Sequence, residues 1–360
     1  MSLGRIDIGH FRCLSEESFR PSANINVFTG QNGSGKTSIL EALYMLGTAK
    51  SFRTSKIRDV IQHGHRSLCI SADSNVEAGR AVRLGFEWSV DDGARLRFDE
   101  GKSGTVSELA RRLPTILLTP DTHVEFFSSP KARRRMMDMA LFHVKHEYFS
   151  VWKKYHLALR CRNRLLRQNA GGAEIKAWNA EISVHGQVLH RHRQEFLEEL
   201  SNIVIKMESL STDAMSPSVV YLPGWDTEYG LCDALDRALH VDLVRGHTSF
   251  GPHRGDLVIK INGKAVEKYH SRGQLKVIAF KVYIAVTEFI RANIGTPPLL
   301  LIDDFFADLD IAAREKMILE IVNLDIQSLL TAVEAGSIPR AANSWMQMFH
   351  VERGVIREAA

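Results

Sequence analysis

Residues 30–37 read GQNGSGKT and directly follow the apolar run INVFT at residues 25–29. The spacing of the glycines, the lysine and the threonine is that of a P-loop, and the next residues, SILEALYMLG, are apolar at helical spacing. Glycines let backbone N–H groups close around phosphate oxygens, and the N-terminus of the following helix adds partial positive charge. The stretch therefore predicts a strand–loop–helix unit that binds phosphate, with a plain glycine-rich turn as the alternative.

The residue types in this stretch predict how it binds ATP and Mg²⁺. Lys36 is expected to reach the β- and γ-phosphates as a catalytic residue, and Thr37 is expected to bind Mg²⁺. Gly47 suits the C-terminal end of the following helix, where glycine is common. The predicted nucleotide-binding residues are Gly30, Gln31, Asn32, Gly33, Ser34, Gly35, Lys36, Thr37 and Ser38.

A P-loop requires an acidic partner on a neighbouring strand, and residues 297–310, PPLLLIDDFFADLD, supply one. Apolar residues run up to two carboxylates, as expected of a buried parallel strand whose carboxyl end meets the ligand. Asp303 is predicted to hold Mg²⁺, and Asp304 to be the catalytic carboxylate that orients or deprotonates the attacking water. For this segment alone, the alternative is an ordinary buried strand that ends in a turn.

About 260 residues separate the two motifs, far more than one strand–helix–strand crossover requires, so a further domain is inserted between them. Residues 64–119 alternate strand-like runs with glycine-rich turns, which predicts an antiparallel sheet in the first lobe. Residues 130–210 predict two or more long helices. We therefore predict an α/β fold in which residues 1–125 form the N-terminal part of an ATPase head, 126–240 a helical insert and 241–360 the C-terminal part of the head.

Residues 269–292, YHSRGQLKVIAFKVYIAVTEFIRA, carry a third motif. Ser271 and Gln274 predict a capping box that starts a long amphipathic helix. A Ser-x-Gly-Gln turn that opens a helix some 30 residues before an acidic strand is also the signature arrangement of ABC-type ATPases, where it contacts the γ-phosphate bound by another protomer. We therefore predict an ABC-type head with a mixed sheet, in which ATP is sandwiched between two subunits. The residues predicted to act in trans are Ser271, Arg272, Gly273 and Gln274.

Six stretches carry a resemblance to a known family: GHFRCL (9–14), GQNGSGKTSILEALYMLGTAKSFRTSKIRDVI (30–61), TPDTHVEFFSSPKARRRMMD (119–138), HTSFGPHRGDL (247–257), YHSRGQLK (269–276) and LLLIDDFFADLD (299–310). On these stretches the chain resembles the RecF family of bacterial recombination-mediator ATPases, which are related to the SMC proteins. The resemblance implies ATP-dependent dimerisation and sequence-independent binding of duplex and gapped DNA. It also implies action at single-strand gaps and stalled forks, where RecR and RecO are partners in loading RecA.

Some positions depart from the pattern of ABC ATPases. Most of these enzymes have Glu at the position of Asp304, whereas RecF-like proteins generally have Asp, as this chain does. The shorter side chain of Asp predicts slow hydrolysis. In the D-loop, Asp308 stands where the family usually has Glu, and Asp310 keeps the subunit-contacting position. The following strand, SLLTAVEA, has no counterpart of the switch histidine of transporters, so another group must sense the γ-phosphate. Arg12 and Arg53 are further candidates to approach the nucleotide.

The segment from Lys131 to Arg167 has eleven Lys or Arg residues against two acids, Asp138 and Glu147. A basic stripe on helices is expected for contact with the phosphate backbone of DNA, independent of base sequence. A solvated helix face is the alternative. The residues predicted to contact DNA are Arg160, Arg162 and Arg164.

The composition excludes several classes of protein. The formal charge is only +4, so binding to nucleic acid depends on where the charges cluster. The four cysteines lie far apart, without the spacing of a zinc or redox site, as expected of free thiols in a reducing cytosol. The N-terminus lacks the apolar core of a signal peptide, and no apolar run of about 18 residues follows. We therefore expect a cytoplasmic protein with no membrane partner.

Two functions from different classes remain open. The first is an ATP-switched, DNA-bound dimer that assembles partner proteins. The alternative is an ABC-type ATPase coupled to DNA processing by a nuclease. The short tail after Arg353, without an acidic nuclease domain, favours the first. The ATPase subunit of a transporter is a third possibility, which the basic helical insertion disfavours.

Overall fold

The computed structural model describes residues 2–75, 81–98, 102–209, 217–304, 306–307, 309–334 and 345–359. The chain forms two compact units. The head unit comprises Met1–Thr122 and Lys276–Ala360, and the inserted unit comprises His123–Leu275. Within the described ranges, no helix combines the length and the apolar character needed to cross a membrane.

The secondary structure alternates strands and helices in the head unit and is mainly helical in the inserted unit. The strands are β1 (Ser2–Phe11), β2 (Leu14–Phe19), β3 (Ile25–Thr29), β4 (Ser67–Asn75), β5 (Ala81–Ser89), β6 (Gly93–Phe98), β7 (Lys102–Ser103), β8 (Thr115–Leu118), β9 (Pro217–Leu222), β10 (Asp256–Ile261), β11 (Lys264–Ala265), β12 (Leu299–Ile302), β13 (Ser328–Ala332), β14 (Met346–Glu352) and β15 (Val355–Glu358). The α-helices are α1 (Lys36–Thr48), α2 (Val106–Arg112), α3 (Thr122–Ser128), α4 (Pro130–Val144), α5 (Tyr148–Arg167), α6 (Gly172–Ser209), α7 (Leu231–Arg237), α8 (Leu239–Arg245), α9 (Arg272–Asn293) and α10 (Ile311–Leu324). Short 3₁₀ turns lie at Ile57–Val60, Pro252–Arg254 and Val266–Lys268.

The central sheet of the head unit has the strand order β15-β14-β3-β13-β12-β8. All its neighbouring strands are parallel except β14 and β15, which are antiparallel. Strands β3, β12 and β13 are buried along their whole length, which explains why their sequences are nearly continuous apolar runs. Because these strands are parallel, their carboxyl ends meet at one edge of the sheet.

The second sheet of the head unit is antiparallel, with the order β2-β1-β4-β5-β6-β7. The alternating pattern of residues 64–119 predicts β4, β5 and β6, and the structure confirms them. One hydrophobic core joins both sheets through α1, whose buried residues pack among those of β1, β4, β5, β12 and β13. The helix that follows the P-loop is therefore held by both sheets.

Gly47 lies inside α1 rather than at its end, contrary to the prediction from sequence. The helix ends at Thr48, and the left-handed residue that caps it is Ala49. A Cβ atom on Gly47 would lie 2.2 Å from Thr115 Oγ1 and 3.1 Å from the Leu113 carbonyl oxygen. Glycine is required here because α1 passes so close to β8.

The inserted unit is built around two long helices, α5 and α6, which pack against each other. It also contains a three-stranded antiparallel sheet with the order β11-β10-β9. The α5 helix contains no Asp or Glu, so its basic residues have no acidic neighbour on their own helix. The unit therefore presents one long helix of strongly positive sequence.

The second predicted boundary, after residue 240, differs from the observed division at Leu275. Strand β10 pairs with β9, and Arg133 of α4 forms a bidentate ion pair with Asp256 of β10 at 2.7 Å for both bonds. Residues 241–275 consequently pack with the inserted unit. The first boundary, predicted after residue 125, lies at Thr122 in the structure.

Candidate nucleotide-binding and DNA-binding sites

The GQNGSGKT loop connects the central strand β3 to helix α1. Strand β3 lies between β13 and β14 and is parallel to both. The loop begins directly after Thr29, and α1 begins at Lys36, so the loop lies at the carboxyl edge of the parallel sheet. Ligands of open α/β sheets bind at this edge.

Two glycines of the loop are required by its shape. Gly30 has a φ of 150° and Gly35 a φ of 117°, which are strained for any residue with a Cβ. A Cβ on Gly30 would also lie 2.2 Å from the Val351 carbonyl oxygen, and one on Gly35 would lie 3.0 Å from Cys13 Sγ. The loop therefore packs closely against β14 and the segment that follows β1, so only glycine fits at positions 30 and 35.

The groups around the loop fit a bound phosphate chain. Helix α1 has no side-chain cap at its N-terminus and no acidic residue in its first turn, so its first N–H groups are available to an anion. The hydroxyl of Ser34 is buried and has no hydrogen-bond partner. The ammonium of Lys36 donates to the carbonyl oxygens of Gly30 and Gln31, at 2.6 and 2.9 Å.

The carboxylates after β12 influence the pKa of Lys36. Burial lowers the pKa of Lys36, and Asp304 and then Asp303 act in the opposite direction. Of the two carboxylates, Asp304 thus has the larger effect on the pKa of Lys36. The structure brings together Lys36 and both acidic residues, which are more than 260 positions apart in the chain.

Asp303 and Thr37 form the predicted magnesium pair. The Thr37 hydroxyl donates to Asp303 Oδ1 at 2.9 Å, and the Thr331 hydroxyl donates to the same oxygen at 2.9 Å. Burial raises the pKa of Asp303, while the hydrogen bonds from Thr331 and Thr37 act in the opposite direction. A carboxylate beside a hydroxyl is an oxygen donor set that suits Mg²⁺, so these residues fit the metal.

Arg12 and Arg53, which the sequence suggests as nucleotide contacts, both pair with Glu41 of α1. Glu41 is fully buried and accepts two hydrogen bonds from Arg12, at 3.0 and 2.8 Å. Arg53 lies 3.6 Å from the same carboxylate, and Ser51 donates to it as well. Arg53 also lowers the pKa of Asp303, although other groups have larger effects, so it lies within electrostatic range of the magnesium pair.

The capping box predicted at the signature turn is confirmed. The Ser271 N–H donates to Gln274 Oε1 at 2.9 Å, and the Gln274 N–H donates to Ser271 Oγ at 3.3 Å. Asp310, which is predicted to contact the second subunit, caps α10 by accepting from the Ala313 N–H at 2.7 Å. Asp308 lies outside the described residues. The action of the signature turn in trans stays a prediction.

Seven of the eleven basic residues between positions 131 and 167 are exposed, and five of the seven lie on α5. Lys153, Arg160, Arg164 and Arg167 recur at intervals that place them along one side of the helix, over about 20 Å, and Lys154 lies next to the first of them. Arg160 and Arg164 belong to this set. The basic face of α5 is defined here by Lys153, Lys154, Arg160, Arg164 and Arg167.

Arg162, also predicted to contact DNA, does not belong to the basic face. Its side chain is fully buried and forms an ion pair with Asp242 at 2.8 Å. It also donates to Asn179 Oδ1 at 2.7 Å and to Thr248 Oγ1 at 2.8 Å. Its guanidinium therefore connects α5, α6, α8 and the loop after α8, and a phosphate cannot reach it.

Sequence reasoning missed Thr331 and Glu41. Thr331 occurs in an otherwise apolar strand, and its hydroxyl gives no periodic signal. Glu41 is the one acid in the helix that follows the P-loop, and a lone acid in an apolar helix is a signal for a buried ion pair. Its partner Arg12 could not be identified from spacing.

The family model described as the RecF/RecN/SMC N terminal domain matches residues 2–357. The DNA replication and repair protein RecF of Marinomonas sp. (strain MWYL1) is 34% identical over 336 residues, which cover 93% of this chain and 91% of that protein. The protein of the same description from Shewanella sp. (strain MR-7) is 31% identical over 355 residues, covering 98% of both chains.

Solved structures show the same fold. A structure of the recombination mediator protein RecF with ATPrS has a TM-score of 0.86 at 21% identity and covers 99% of this chain and 98% of its own. An SMC head bound to the C-winged helix domain of ScpA has a TM-score of 0.62 at 16% identity, covering 100% of this chain and 97% of its own. The ABC-type head predicted from sequence is confirmed.

Proposed function

The chain belongs to the RecF family, and from that membership we propose that it is an ATP-dependent, DNA-binding recombination mediator. It acts at single-strand gaps and stalled replication forks, dimerises with ATP and helps RecR and RecO to load RecA. The observation that carries the ATPase half is the hydrogen bond between Thr37 of the P-loop and Asp303 after β12. This bond joins the two halves of a Mg-ATP site from opposite ends of the chain.

Each residue of the site has a separate role in slow ATP hydrolysis. The N–H groups of the GQNGSGKT loop and the Lys36 ammonium bind the phosphates, and Thr37 and Asp303 hold the metal. Bound Mg²⁺ supplies positive charge that stabilises the phosphate oxygens. Asp304 orients the attacking water or accepts its proton. The Ser271–Gln274 turn of a second copy completes the site, so that ATP joins two protomers.

The basic face of α5 supports the DNA half of the proposal. Exposed Lys and Arg residues on one side of a helix attract the phosphate backbone whatever the base sequence. Incubation of the purified protein with Mg²⁺, ATP and a labelled gapped duplex separates the mediator from the nuclease-coupled alternative. Binding without cleavage supports the mediator, whereas cut products would support the nuclease-coupled alternative and reject this proposal.

Replacing Arg160, Arg164 and Arg167 with Ala is expected to weaken binding to duplexes of any sequence. Each lost phosphate contact should reduce the slope of log K against log salt by about 0.9. ATP affinity should change little, because these residues lie in the inserted unit. Fluorescence anisotropy of a labelled duplex over a range of salt concentrations measures both quantities.

The matched control replaces three exposed basic residues elsewhere in the inserted unit, Lys176, Arg191 and Lys264. Both triple variants lose three positive charges, so an effect of net charge alone would weaken DNA binding equally in the two. Equal DNA affinity and salt slope in the two variants would contradict a DNA-binding role for the basic face of α5.

Mixing two inactive variants is expected to restore ATP hydrolysis if the signature turn acts in trans. Lys36→Ala removes the P-loop cation, and Ser271→Arg blocks the signature turn and removes its helix cap. A mixed dimer has one site that combines the intact P-loop of one chain with the intact signature turn of the other. Random association gives about half mixed dimers, so up to roughly a quarter of wild-type activity should return if the sites act independently.

A control mixes Lys36→Ala with a chain that carries both substitutions, and this mixture can form no intact site. If the first mixture also stays inactive although mixed dimers form, either Ser271 works within its own subunit or hydrolysis needs both sites. A linked dimer with a lesion in one site separates these two explanations, because it is inactive only when the sites are coupled.

A further inference from the structure

Thr331 contacts both acidic residues that follow β12. It lies near the carboxyl end of β13, the strand next to β12, and its side chain is buried. Its hydroxyl donates to Asp303 Oδ1 at 2.9 Å and accepts from the Asp304 N–H at 2.8 Å. One hydroxyl thus holds the side chain of the first acid and the backbone of the second.

The backbone of Asp304 adopts a conformation that needs such support. Its φ is 43°, in the left-handed region that residues other than glycine rarely enter. The hydrogen bond to Thr331 fixes the peptide N–H at this bend. The bend directly follows Asp303 at the carboxyl end of β12, so its conformation sets the direction in which the Asp304 side chain leaves this edge of the sheet.

We propose that Thr331 is a positioning residue of the ATP site, which orients the Asp303 carboxylate as a donor and fixes the Asp304 bend as an acceptor. A hydroxyl is suited to this position because it can donate and accept at the same time, and the β-branched side chain of Thr suits a strand. Valine has nearly the same shape and can do neither. The inference rests on the proposed ATPase function and assigns that function one more residue.

The expected result separates positioning from packing. Thr331→Val should lower kcat by about 10- to 100-fold, and raise the Mg²⁺ concentration needed for half-maximal hydrolysis, as is typical when the partner of a metal ligand is lost. Thr331→Ser keeps the hydroxyl and should restore both values to within about threefold of wild type. The affinity for a fluorescent ATP analogue in EDTA, where no Mg²⁺ is bound, should be the same in all three proteins.

Thr287→Val is the matched control for the loss of a buried hydroxyl. Thr287 is fully buried in α9, and its hydroxyl donates to the Tyr283 carbonyl oxygen at 2.7 Å rather than to an acidic residue. This variant should have wild-type Mg²⁺ dependence and kcat. Thermal unfolding of the control and of both Thr331 variants shows whether a lost activity follows a lost fold.

Four results would overturn the inference. Wild-type kcat and Mg²⁺ dependence in Thr331→Val would show that the hydroxyl positions nothing. Equal damage in Thr331→Val and Thr331→Ser, or a parallel loss of binding in EDTA, would show a packing role instead. These three results leave the proposed ATPase standing if wild type hydrolyses ATP and Lys36→Ala does not. A wild-type protein without ATPase activity would reject the proposed function and this inference together.

Discussion

Lys36→Ala is expected to weaken ATP binding by at least about 30-fold while the head unit stays folded. The Lys36 ammonium is the cation inside the glycine loop and is held by two of its carbonyl oxygens. Loss of one partner of a close, desolvated charge pair costs roughly 2–5 kcal/mol, and each 1.4 kcal/mol is a factor of ten in affinity. Without the lysine, nothing in the loop replaces its charge opposite the β- and γ-phosphates.

Equilibrium binding of a fluorescent ATP analogue measures this loss. Lys50→Ala is the control, since Lys50 is exposed just beyond the end of α1 and the substitution removes the same charge. We expect Lys50→Ala to bind the nucleotide like wild type and both variants to unfold at the wild-type temperature. Unchanged affinity in Lys36→Ala would reject the assignment of the P-loop.

The P-loop could be predicted from sequence because its constraints are local. The backbone angles of Gly30 and Gly35 permit little other than glycine, so the residue types themselves predict the shape of the loop. The acidic strand could be predicted for a related reason, since a strand buried on both faces must be an apolar run and can end in charge only at the sheet edge. Two independent local patterns therefore located one composite site.

Other features depend on contacts that no local pattern reports. The boundary at Leu275 follows from the pairing of β9 with β10, whose residues are more than 30 positions apart. Thr331 could not be found because a single hydroxyl in a buried strand has the same pattern as a packing residue. Helical spacing places Arg162 on the side of α5 that carries the apolar residues Leu159 and Leu166, but its acidic partner Asp242 is 80 positions away and could not be identified from this pattern.

The buried position of Arg162 leads to the second large effect. Arg162→Ala is expected to lower the free energy of unfolding of the inserted unit by roughly 3–5 kcal/mol, because it leaves the buried Asp242 carboxylate without its cation. Asn179 Oδ1 also loses its hydrogen bond to the guanidinium, although Asn179 Nδ2 keeps Asp236 as a partner. Urea unfolding monitored by tryptophan fluorescence measures the change, since Trp152, Trp178 and Trp225 lie in this unit.

Arg160→Ala is the matched comparison, two residues earlier on the same helix and exposed. Surface substitutions usually change stability by less than about 0.5 kcal/mol, so this variant should unfold like wild type and lose DNA affinity instead.

A further variant, Arg162→Met with Asp242→Leu, removes both charges of the buried pair and should regain much of the lost stability, since the penalty comes from the unpaired carboxylate. If Arg162→Ala is as stable as Arg160→Ala and loses DNA affinity to the same extent, then Arg162 is exposed in solution and the buried pair with Asp242 does not form. The opposite pattern, in which stability depends on Arg162 and DNA affinity on Arg160, would show that neighbouring arginines of α5 serve two separate purposes, one in the core and one at the surface.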